Sequence, residues 1–394
     1  MNNIGNLANQ RFSNLRVALV HDFLTACGGA ERVLEVMCEM FPDAPIYTLL
    51  YDREKMRGKF ADKDIRTSFL QKFPKFFRKR YKWLLPLMPV APETFDLRDF
   101  DLVISSSGAW TKGIVTRLNT VHISYFHSPM RFAWDVNGEY IMEQKKCWCV
   151  RFIARFILNY IRLWDKTAAD RPDYIISNSQ YTRERVKKYY GRESEIIYPP
   201  INNKTRISEQ EPEKNGQKPK ESGEEKEKFF LIVSRLSPYK KIDMAIEAFN
   251  KLGLPLVIVG KGEQEKYLHS ISSSNIKFLG WKTDKELKEI YKKARAFVFP
   301  GVDDFGLAPV EAMNFGVPVI AIRKGGIKEI LEEGKTGEFF DTSTPEVIAD
   351  GVRRFMENEN NYDKKNIIDK AQEFNRERFT KELEEFINRT VHAI

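Results

Sequence analysis

Two carboxylates, Asp303 and Glu311, lie eight positions apart in the segment DDFGLAPVEAMNFG, which follows the apolar run AFVFP. A short apolar run of this kind predicts a buried strand, so both acids would follow the point where that strand ends. Carboxylates in this position can hold the hydroxyl groups of a ligand. An alternative of about equal weight is that Glu311 only complements a helix dipole and Asp303 is an ordinary loop residue.

The residues between these acids predict the start of a helix that faces a phosphate. Gly306 permits close approach of the backbone, and Pro309 suits the first turn of a helix. The amides of Phe305, Gly306 and Leu307 would then point outward at the helix N-terminus, where an anion binds well. Glu311 is expected in the first turn of this helix, within reach of hydroxyl groups on the same ligand.

Cations follow another predicted strand of the second half. The run FFLIV leads into SRLSPYKKID, which places Arg235 and Lys240 where a clamp for a diphosphate would lie. Taken alone, the segment fits two solvated cations equally well. Gly260, in the segment VGKG, ends a further strand and is a weaker candidate for contact with the same ligand.

The first half of the chain has its own glycine-rich turn. The segment HDFLTACGGAERVL places Gly28 and Gly29 at the start of a helix directly after the first strand. It lacks the full G-x-G-x-x-G pattern, so no dinucleotide cofactor is expected. Contact with a phosphate or a sugar remains open, and the preceding His21 is a candidate for contact with a second substrate.

A third cluster lies in the segment SYFHSPMRFAWD, where His127 follows a predicted strand. A lone histidine is more often structural than functional. The strand end and two charged neighbours, Arg131 and Asp135, favour a site here, and both neighbours are candidates for contact with the second substrate.

Short apolar strands alternate with helical patterns along most of the chain, which predicts two doubly wound α/β units. The predicted domains are residues 1–200 and residues 229–394, with the last helix able to pack back on the first domain. Between them, residues 203–228 contain fourteen charged positions and predict an exposed flexible insertion. Ligands of two facing units are expected in the cleft between them.

Composition narrows the classes of partner. The net charge of +9 suits an anionic ligand, but the excess is spread along the chain and does not favour nucleic acid. The four cysteines lack zinc spacing, and no metal is expected. The first residues lack the apolar core of a signal peptide, and no stretch predicts a membrane span, so a cytoplasmic protein is expected.

One basic stretch departs from this even distribution. Residues 66–82 contain seven basic residues, no acidic ones and five aromatic rings. This pattern suits an anionic membrane surface or a lipid-phosphate acceptor. Stacking on single-stranded nucleic acid and an ordinary basic helix with its rings in the core are the alternatives.

Taken in order, four segments resemble the retaining GT-B glycosyltransferases of family 4, also described as glycosyl transferases group 1. They are HDFLTACGGAERVL, YFHSPMRFAWD, VSRLSPYKKIDMAIEAF and DDFGLAPVEAMNFG. The resemblance spans the chain except its charged insertion, and it is strongest to the mannosyltransferases of bacterial O-antigen and exopolysaccharide synthesis. It implies two Rossmann-like domains that face each other across a cleft.

The resemblance also implies roles for the candidate residues. Asp303 aligns with the family's first glutamate, which contacts the transferred sugar, and Glu311 with the second, which holds the ribose. Aspartate is one methylene shorter at the first position. Arg235 and Lys240 would neutralise the leaving diphosphate, with Lys241 as the alternative second cation, and no metal is implied.

On the acceptor side, the resemblance implies that Gly28 and Gly29 let the first domain approach the phosphate and the acceptor. His127 would lie beside the transferred sugar. The expected donor is a nucleotide sugar, GDP-mannose by resemblance, and the expected acceptor is a lipid-linked saccharide at the inner membrane face. The alternatives are a UDP-sugar donor, a nucleotide-sugar epimerase of the same fold and a scaffold that binds nucleotide without turnover.

Overall fold

The apolar runs of the sequence form two sheets of parallel strands in a computed structural model that describes residues 14–135, 148–201 and 229–391. The chain divides into two units, Met1–Pro200 with Arg376–Ile394 (unit one) and Ile201–Asn375 (unit two). The predicted fold class, two doubly wound α/β units, is confirmed. The predicted insertion, residues 203–228, lies outside the described residues.

Unit one contains a sheet in the order β3-β2-β1-β4-β5-β6-β7. Its central strands are buried along nearly their whole length, because helices cover both faces of a parallel sheet. The chain runs outward from β1 in one direction and resumes at β4 in the other, so these neighbours form the switch point. The strands are β1 Val17–Leu24, β2 Ile46–Tyr51, β3 Ile65–Thr67, β4 Leu102–Ser107, β5 Val121–Phe126, β6 Tyr174–Ser177 and β7 Glu195–Ile196.

The helices of this unit have local start and stop signals. For example, the Ser179 hydroxyl accepts the backbone N–H of Thr182 at 2.9 Å, and Gly191 ends the same helix with a positive φ of 70°. The helices before the insertion are α1 Gly29–Met40, α2 Arg53–Met56, α3 Lys75–Lys79, α4 Arg131–Trp134, α5 Trp148–Ala168 and α6 Gln180–Tyr190.

Unit two repeats the arrangement with six strands in the order β10-β9-β8-β11-β12-β13, and its switch point lies between β8 and β11. The strands are β8 Phe229–Val233, β9 Leu256–Val259, β10 Ile276–Gly280, β11 Ala294–Phe299, β12 Val319–Ile322 and β13 Gly337–Phe340. The helices are α7 Ile242–Leu252, α8 Glu265–Ser270, α9 Asp284–Tyr291, α10 Leu307–Met313, α11 Pro345–Glu357 and α12 Lys364–Gln372.

The last helix, α13 Arg376–Val391, belongs to the core of unit one. Phe379, Leu383, Phe386 and Ile387 are buried there, and the Phe379 ring lies 5.9 Å from that of Tyr125. Each such side chain contributes about 1.5–3 kcal/mol when it is fully buried. The boundary of the second unit therefore lies before Arg376, not at the end of the chain.

Candidate functional site

In unit two, the switch point brings together two of the predicted catalytic residues. Lys240 lies in a 3-10 turn after β8, Asp303 follows β11, and the ammonium contacts the carboxylate. Both side chains are mostly buried, with 13% and 21% of their surface exposed. The ammonium also lies 5.1 Å from the ring centroid of Tyr239. Arg235, from the same loop, is exposed to solvent.

The backbone around this ion pair is packed so closely that only glycine fits. A Cβ on Gly301 would lie 2.7 Å from the Cα of Lys240. A Cβ on Gly326 would lie 2.2 Å from the carbonyl oxygen of Asp304, and the Gly326 N–H donates to the carbonyl of Asp303 at 3.0 Å. Sequence reasoning missed the Gly325–Gly326 pair, although a double glycine after a predicted strand is a recognisable signal.

Close backbone packing also requires glycine at position 260. Its φ is +135°, and a Cβ there would lie 1.8 Å from the carbonyl oxygen of Ser234. Gly262 approaches Leu236 in the same way, at 2.0 Å. The two glycines thus let the loop after β9 lie directly against the loop that carries Arg235, and this packing explains them without any ligand contact.

The prediction that Glu311 lies in the first turn of its helix is wrong. Helix α10 begins at Leu307, so Glu311 is its fifth residue and lies in the second turn. Its carboxylate is half-buried and receives the Tyr291 hydroxyl at 3.5 Å. Gly306 has a φ of +108°, as a chain reversal before the helix requires. The Phe305 ring packs against Phe374 in the core, so only its backbone is available to a ligand.

In unit one, a carboxylate that sequence reasoning missed shapes the switch point. Asp22, near the end of β1, accepts the backbone N–H groups of the four residues 108–111 at 2.7 to 2.9 Å. It also accepts the Thr111 hydroxyl at 2.9 Å. Four amides converging on one buried carboxylate determine the path of the loop after β4. In the sequence, the position of Asp22 next to His21 was the only feature that could have indicated this role.

Next to Asp22, four side chains form a connected series from α1 to the end of β5. Glu31 Oε1 lies 3.6 Å from His21 Nε2, and His21 Nδ1 lies 3.0 Å from Ser106 Oγ. Ser106 Oγ in turn lies 2.7 Å from His127 Nε2. The pKa of His127 is lowered to about 4, mainly by burial and then by the nearby His21, so its ring is neutral at pH 7.

The structure assigns different positions to the other candidates of unit one. The sequence predicts that His21 contacts a second substrate. Its side chain is only 2% exposed, which argues against a direct contact. Gly28 donates its N–H to Glu31 Oε2 at 2.8 Å, and Gly29 is the first residue of α1. These two glycines therefore lie at the helix start that the sequence predicts.

Asp135 and Arg131 bracket the short helix α4. The Asp135 carboxylate pairs with Arg185 of α6 and accepts the Tyr189 hydroxyl at 2.6 Å. The Trp134 ring stacks on that of Tyr189, with centroids 4.9 Å apart. These contacts give Asp135 a structural role in joining α4 to α6. Arg131 is half-buried.

Within the described residues, no group of three or more histidine, cysteine or acidic side chains is placed to hold a metal ion. None of the helices in the described part of the chain is long and apolar enough to cross a membrane.

Two family models match the sequence. The model described as Glycosyltransferase Family 4 matches residues 27–204, and the model described as Glycosyl transferases group 1 matches residues 213–374. Between them they cover most of the chain.

Curated relatives match over part of their length. A GDP-mannose-dependent alpha-(1-6)-phosphatidylinositol monomannoside mannosyltransferase of Mycobacterium tuberculosis is 26% identical over 53% of this chain and 57% of that protein. The O-antigen chain mannosyltransferase RfbU of Salmonella typhimurium is 26% identical over 44% and 49%. A probable sucrose-phosphate synthase of Thermosipho melanesiensis is 31% identical over 49% of each chain. The chain thus spans about half the length of these relatives.

Two solved structures share the fold over nearly the whole chain. HepE of Anabaena, crystallised with UDP and glucose, superposes with a TM-score of 0.67 at 17% identity and covers 95% of this chain and 99% of its own. The sucrose-phosphate synthase of Thermosynechococcus elongatus reaches 0.69 at 16% identity, with 96% and 100% covered. At this level of identity the likeness establishes the fold alone.

Proposed function

Because the chain belongs to the GT-B glycosyltransferases of family 4, we propose that it transfers a mannosyl group from GDP-mannose to a lipid-linked saccharide with retention of configuration. The observation that carries the proposal is the Lys240–Asp303 pair at the switch point of unit two, with the exposed Arg235 in the same loop as Lys240. The names of two relatives support mannose as the sugar. UDP and glucose in HepE make a UDP-sugar the second candidate.

In the proposed reaction, unit two binds the nucleotide diphosphate. Arg235 and Lys240 offset the charge that develops on the leaving diphosphate, the task that a metal ion performs in other enzymes. Glu311 accepts the hydroxyl groups of the ribose. The leaving phosphate helps to deprotonate the acceptor hydroxyl on the same face of the sugar, so configuration is retained. No metal takes part, and full activity in excess EDTA is expected.

Asp303 has a second task in this scheme, which its contact with Lys240 suggests. A carboxylate has two oxygens and about four lone-pair directions, so it can orient the Lys240 ammonium and also accept a sugar hydroxyl. The shorter side chain is compatible with both contacts only if the sugar lies close to the Lys240–Asp303 pair. Asp303→Asn tests this arrangement, because it keeps the shape and removes the charge that holds Lys240.

The test of the proposed function is a donor screen. GDP-mannose, UDP-glucose and UDP-galactose are incubated with the protein, with and without a lipid extract as acceptor, and nucleotide release and glycolipid are measured. Nucleotide release from GDP-mannose that depends on the extract supports the proposal. Donor conversion without extract indicates an epimerase, and nucleotide binding without turnover indicates a scaffold. The anomeric configuration of the product, read by NMR, decides between retention and inversion.

We further propose that the enzyme works on the cytoplasmic face of an anionic membrane. Five aromatic rings of the stretch 66–83 form one connected cluster, in which the ring centroids of Phe76 and Trp83 lie 5.7 Å apart. Phe69 and Phe73 turn toward the core, whereas Phe76, Phe77 and Trp83 are exposed. This division suits interfacial insertion of three rings among basic side chains.

An exposed apolar face on α5 supports the same proposal, and sequence reasoning missed it. Phe152, Phe156 and Leu163 expose 66%, 71% and 63% of their surface, at helical spacing. The only acidic residue of α5 is Asp165, which is fully buried. Ile161 of α5 shares one buried cluster with Leu84, so α5 and the aromatic stretch belong to the same part of unit one. We call the exposed rings of residues 76–83 and this face of α5 the docking surface.

Co-sedimentation with vesicles tests the docking surface. The wild-type chain is expected to bind vesicles of phosphatidylglycerol and phosphatidylcholine, and to bind pure phosphatidylcholine weakly. Changing Lys72, Lys75 and Arg80 to glutamine should weaken binding about a hundredfold, since each cation contributes about 1 kcal/mol. Raised salt should have the same effect.

Two further variants complete the vesicle test. Phe156→Ser should also weaken binding, whereas Tyr267→Ser, an exposed aromatic of unit two, should not. Equal binding of the wild type to both vesicle types, or binding to neither, would contradict the membrane proposal and leave the donor screen unaffected.

A further inference from the structure

Lys241, at the switch point of unit two, has a backbone conformation that lysine seldom adopts. Its φ is +51° and its ψ is 35°, in the left-handed region that favours glycine. We propose that Lys241 is a donor-binding residue whose ammonium contacts the diphosphate, as a cation additional to Arg235 and Lys240. This inference rests on the proposed function, since it adds a residue to the site that binds the nucleotide.

The turn before α7 fixes this conformation from both sides. The Lys240 N–H donates to the Ser237 carbonyl at 3.0 Å, and the Lys241 N–H donates to the Pro238 carbonyl at 3.1 Å. The Lys241 carbonyl then accepts the Ala245 N–H at 3.4 Å, at the start of α7. A residue that precedes a helix usually has an extended backbone and a side chain that caps the helix, whereas Lys241 has neither. Turn chemistry by itself therefore does not favour lysine at this position.

The chain reversal sends two neighbouring lysines into different surroundings. The Lys240 ammonium contacts Asp303 and lies 5.1 and 5.8 Å from the ring centroids of Tyr239 and Phe299, with 13% of the side chain exposed. The Lys241 side chain is exposed, and it makes no ion pair with the residues that the structure describes. The charge of Lys240 is thus balanced within the protein, whereas that of Lys241 is available to an anion in solution.

The charges of the two segments that meet at this switch point sum to zero. Residues 234–241 and 300–311 contain three cations and three carboxylates. Without Lys241 the sum would be −1, and a negative site repels a diphosphate. The exposed Lys241 therefore decides whether these segments are neutral or negative before the donor binds. The cations are Arg235, Lys240 and Lys241, and the carboxylates are Asp303, Asp304 and Glu311.

The backbone and the side chain of Lys241 have opposite consequences. The left-handed backbone lowers the stability of the folded chain, because the Cβ of any residue other than glycine is crowded there. The ammonium strengthens donor binding. Substitution by glycine separates the two effects, since it should raise stability and weaken donor binding in the same variant. A residue with only a structural role would not change donor affinity in this direction.

Calorimetric titration of the full chain with GDP, together with thermal unfolding, tests the inference. Lys241→Gly should raise the melting temperature by about 2–4 °C. It should also weaken GDP binding about tenfold, because a hydrogen bond from a charged group is lost. Lys241→Gln should show the same loss of affinity without the gain in stability, and Lys241→Arg should keep the wild-type affinity. Wild-type affinity for GDP in both the glycine and the glutamine variant would overturn the inference.

Two control variants match the two changes. Arg57 of unit one is an exposed cation with a φ of +54°, so Arg57→Gly relieves a similar backbone conformation and should leave GDP affinity unchanged. Lys251 lies at the other end of α7, and Lys251→Gln removes an exposed charge there without affecting GDP binding. A loss of affinity in either control equal to that in the Lys241 variants would show a general effect of net charge and would contradict a specific contact.

The choice of nucleotide locates the contact on the ligand. Lys241→Gln should weaken UDP binding as much as GDP binding, because both carry the same diphosphate, and should weaken GMP binding less. An equal loss for GMP and GDP would overturn the diphosphate contact. Raised salt should weaken GDP binding more in the wild type than in Lys241→Gln, since one exposed charge fewer is screened.

The same titrations distinguish this inference from the proposed function. GDP or UDP binding by the wild type, with unchanged affinity in the Lys241 variants, would overturn the inference and leave the glycosyltransferase proposal intact. Binding of neither nucleotide by the wild type would refute the proposed function, and the role of Lys241 with it.

Discussion

The two units share one topology but arrange opposite chemistry at their switch points. Unit one buries its charges: the carboxylate of Asp22 is surrounded by four amides, and Glu31 lies against His21. The half-buried His127 is neutral at pH 7, because burial lowers its pKa to about 4. Unit two keeps cations at the strand ends, with Lys240 paired to Asp303 and Arg235 in solvent.

The two switch points therefore differ in the kind of ligand that each would suit. Cations beside tightly packed glycine loops suit the diphosphate of a donor, because charge and close backbone approach both favour an anion. In unit one, His127 is neutral at pH 7 and so has no charge that would attract an anion. The six strands of unit two follow the same order as the first six of unit one, so the difference in chemistry is a property of the loops that follow the strands.

The largest effect is expected at the cations of unit two. Lys240→Ala and Arg235→Ala should each lower kcat about a hundredfold, or about 3 kcal/mol in the activation free energy, because the lost charge is needed most in the transition state. The melting temperature should change little. Lys251→Ala, which removes an exposed ion pair with Glu346, is the matched control. Wild-type rates in both Lys240→Ala and Arg235→Ala would contradict the proposed role of these cations, and with it the contrast between the two units.

A smaller effect is expected from the glycine packing of unit two. Gly326→Ala places a Cβ 2.2 Å from the Asp304 carbonyl oxygen, and overpacking of this kind typically costs about 1–3 kcal/mol. The loop that carries Asp303 must move, so donor affinity should fall as well, as calorimetry would show. Gly334→Ala is the control, since φ there is +73° but no atom lies within 4 Å. It should cost stability without changing donor affinity, and equal affinity losses would refute the argument.

Acid should destabilise unit one through its buried histidines. Burial lowers the pKa of His122 to about 3, so the folded ring stays neutral while an unfolded one binds a proton below about pH 6.5. The unfolded state binds more protons in that window. Each such group therefore removes up to about 1.4 kcal/mol of stability per pH unit as the pH falls from 6.5 toward 3.

Thermal unfolding of variants between pH 7.5 and pH 5 checks this prediction. His122→Gln should flatten the fall in melting temperature relative to the wild type. His269→Gln replaces an exposed ring, the only histidine of unit two, and should leave the slope unchanged. Identical slopes in all three proteins would show that the buried histidine does not contribute.

The smallest effect is expected from the charged segment, residues 203–228. Replacing residues 203–228 with a short glycine-serine linker should leave the melting temperature and the transfer rate nearly unchanged, because their composition cannot form a core. Differential scanning calorimetry and the donor assay measure the two quantities. A large drop in melting temperature would show that this segment packs against one of the units.

Local patterns were sufficient to predict much of the fold. Continuous apolar runs such as FFLIV and VPVIAI indicated buried parallel strands, because both faces of such a strand are covered. Glycine pairs and strand ends then indicated where Gly28, Arg235 and Lys240 would lie. The family resemblance, carried by four segments in order, is confirmed by two family models. The aromatic stretch was recognised, but which of its rings face solvent could not be predicted from spacing.

Contacts between segments that are distant in the chain could not be predicted from the sequence. Lys112, in the segment AWTKG, has the appearance of a surface lysine, yet it is 1% exposed and lies 2.6 Å from the buried Asp165. The contact of Lys240 with Asp303 joins residues 63 positions apart, and that of Asp22 with the loop after β4 spans more than 80. No periodicity encodes such pairs.

The sequence by itself determined the strands, the helices, the order of the two units and the residue types at the strand ends. These follow from hydrophobic periodicity and turn chemistry, which act over a few neighbouring residues. The tertiary structure alone decided that Glu31, His21, Ser106 and His127 form one series, and that α13 returns to unit one. The physical reason is that hydrogen bonds and core contacts depend on distances in space, which the topology of the sheet sets.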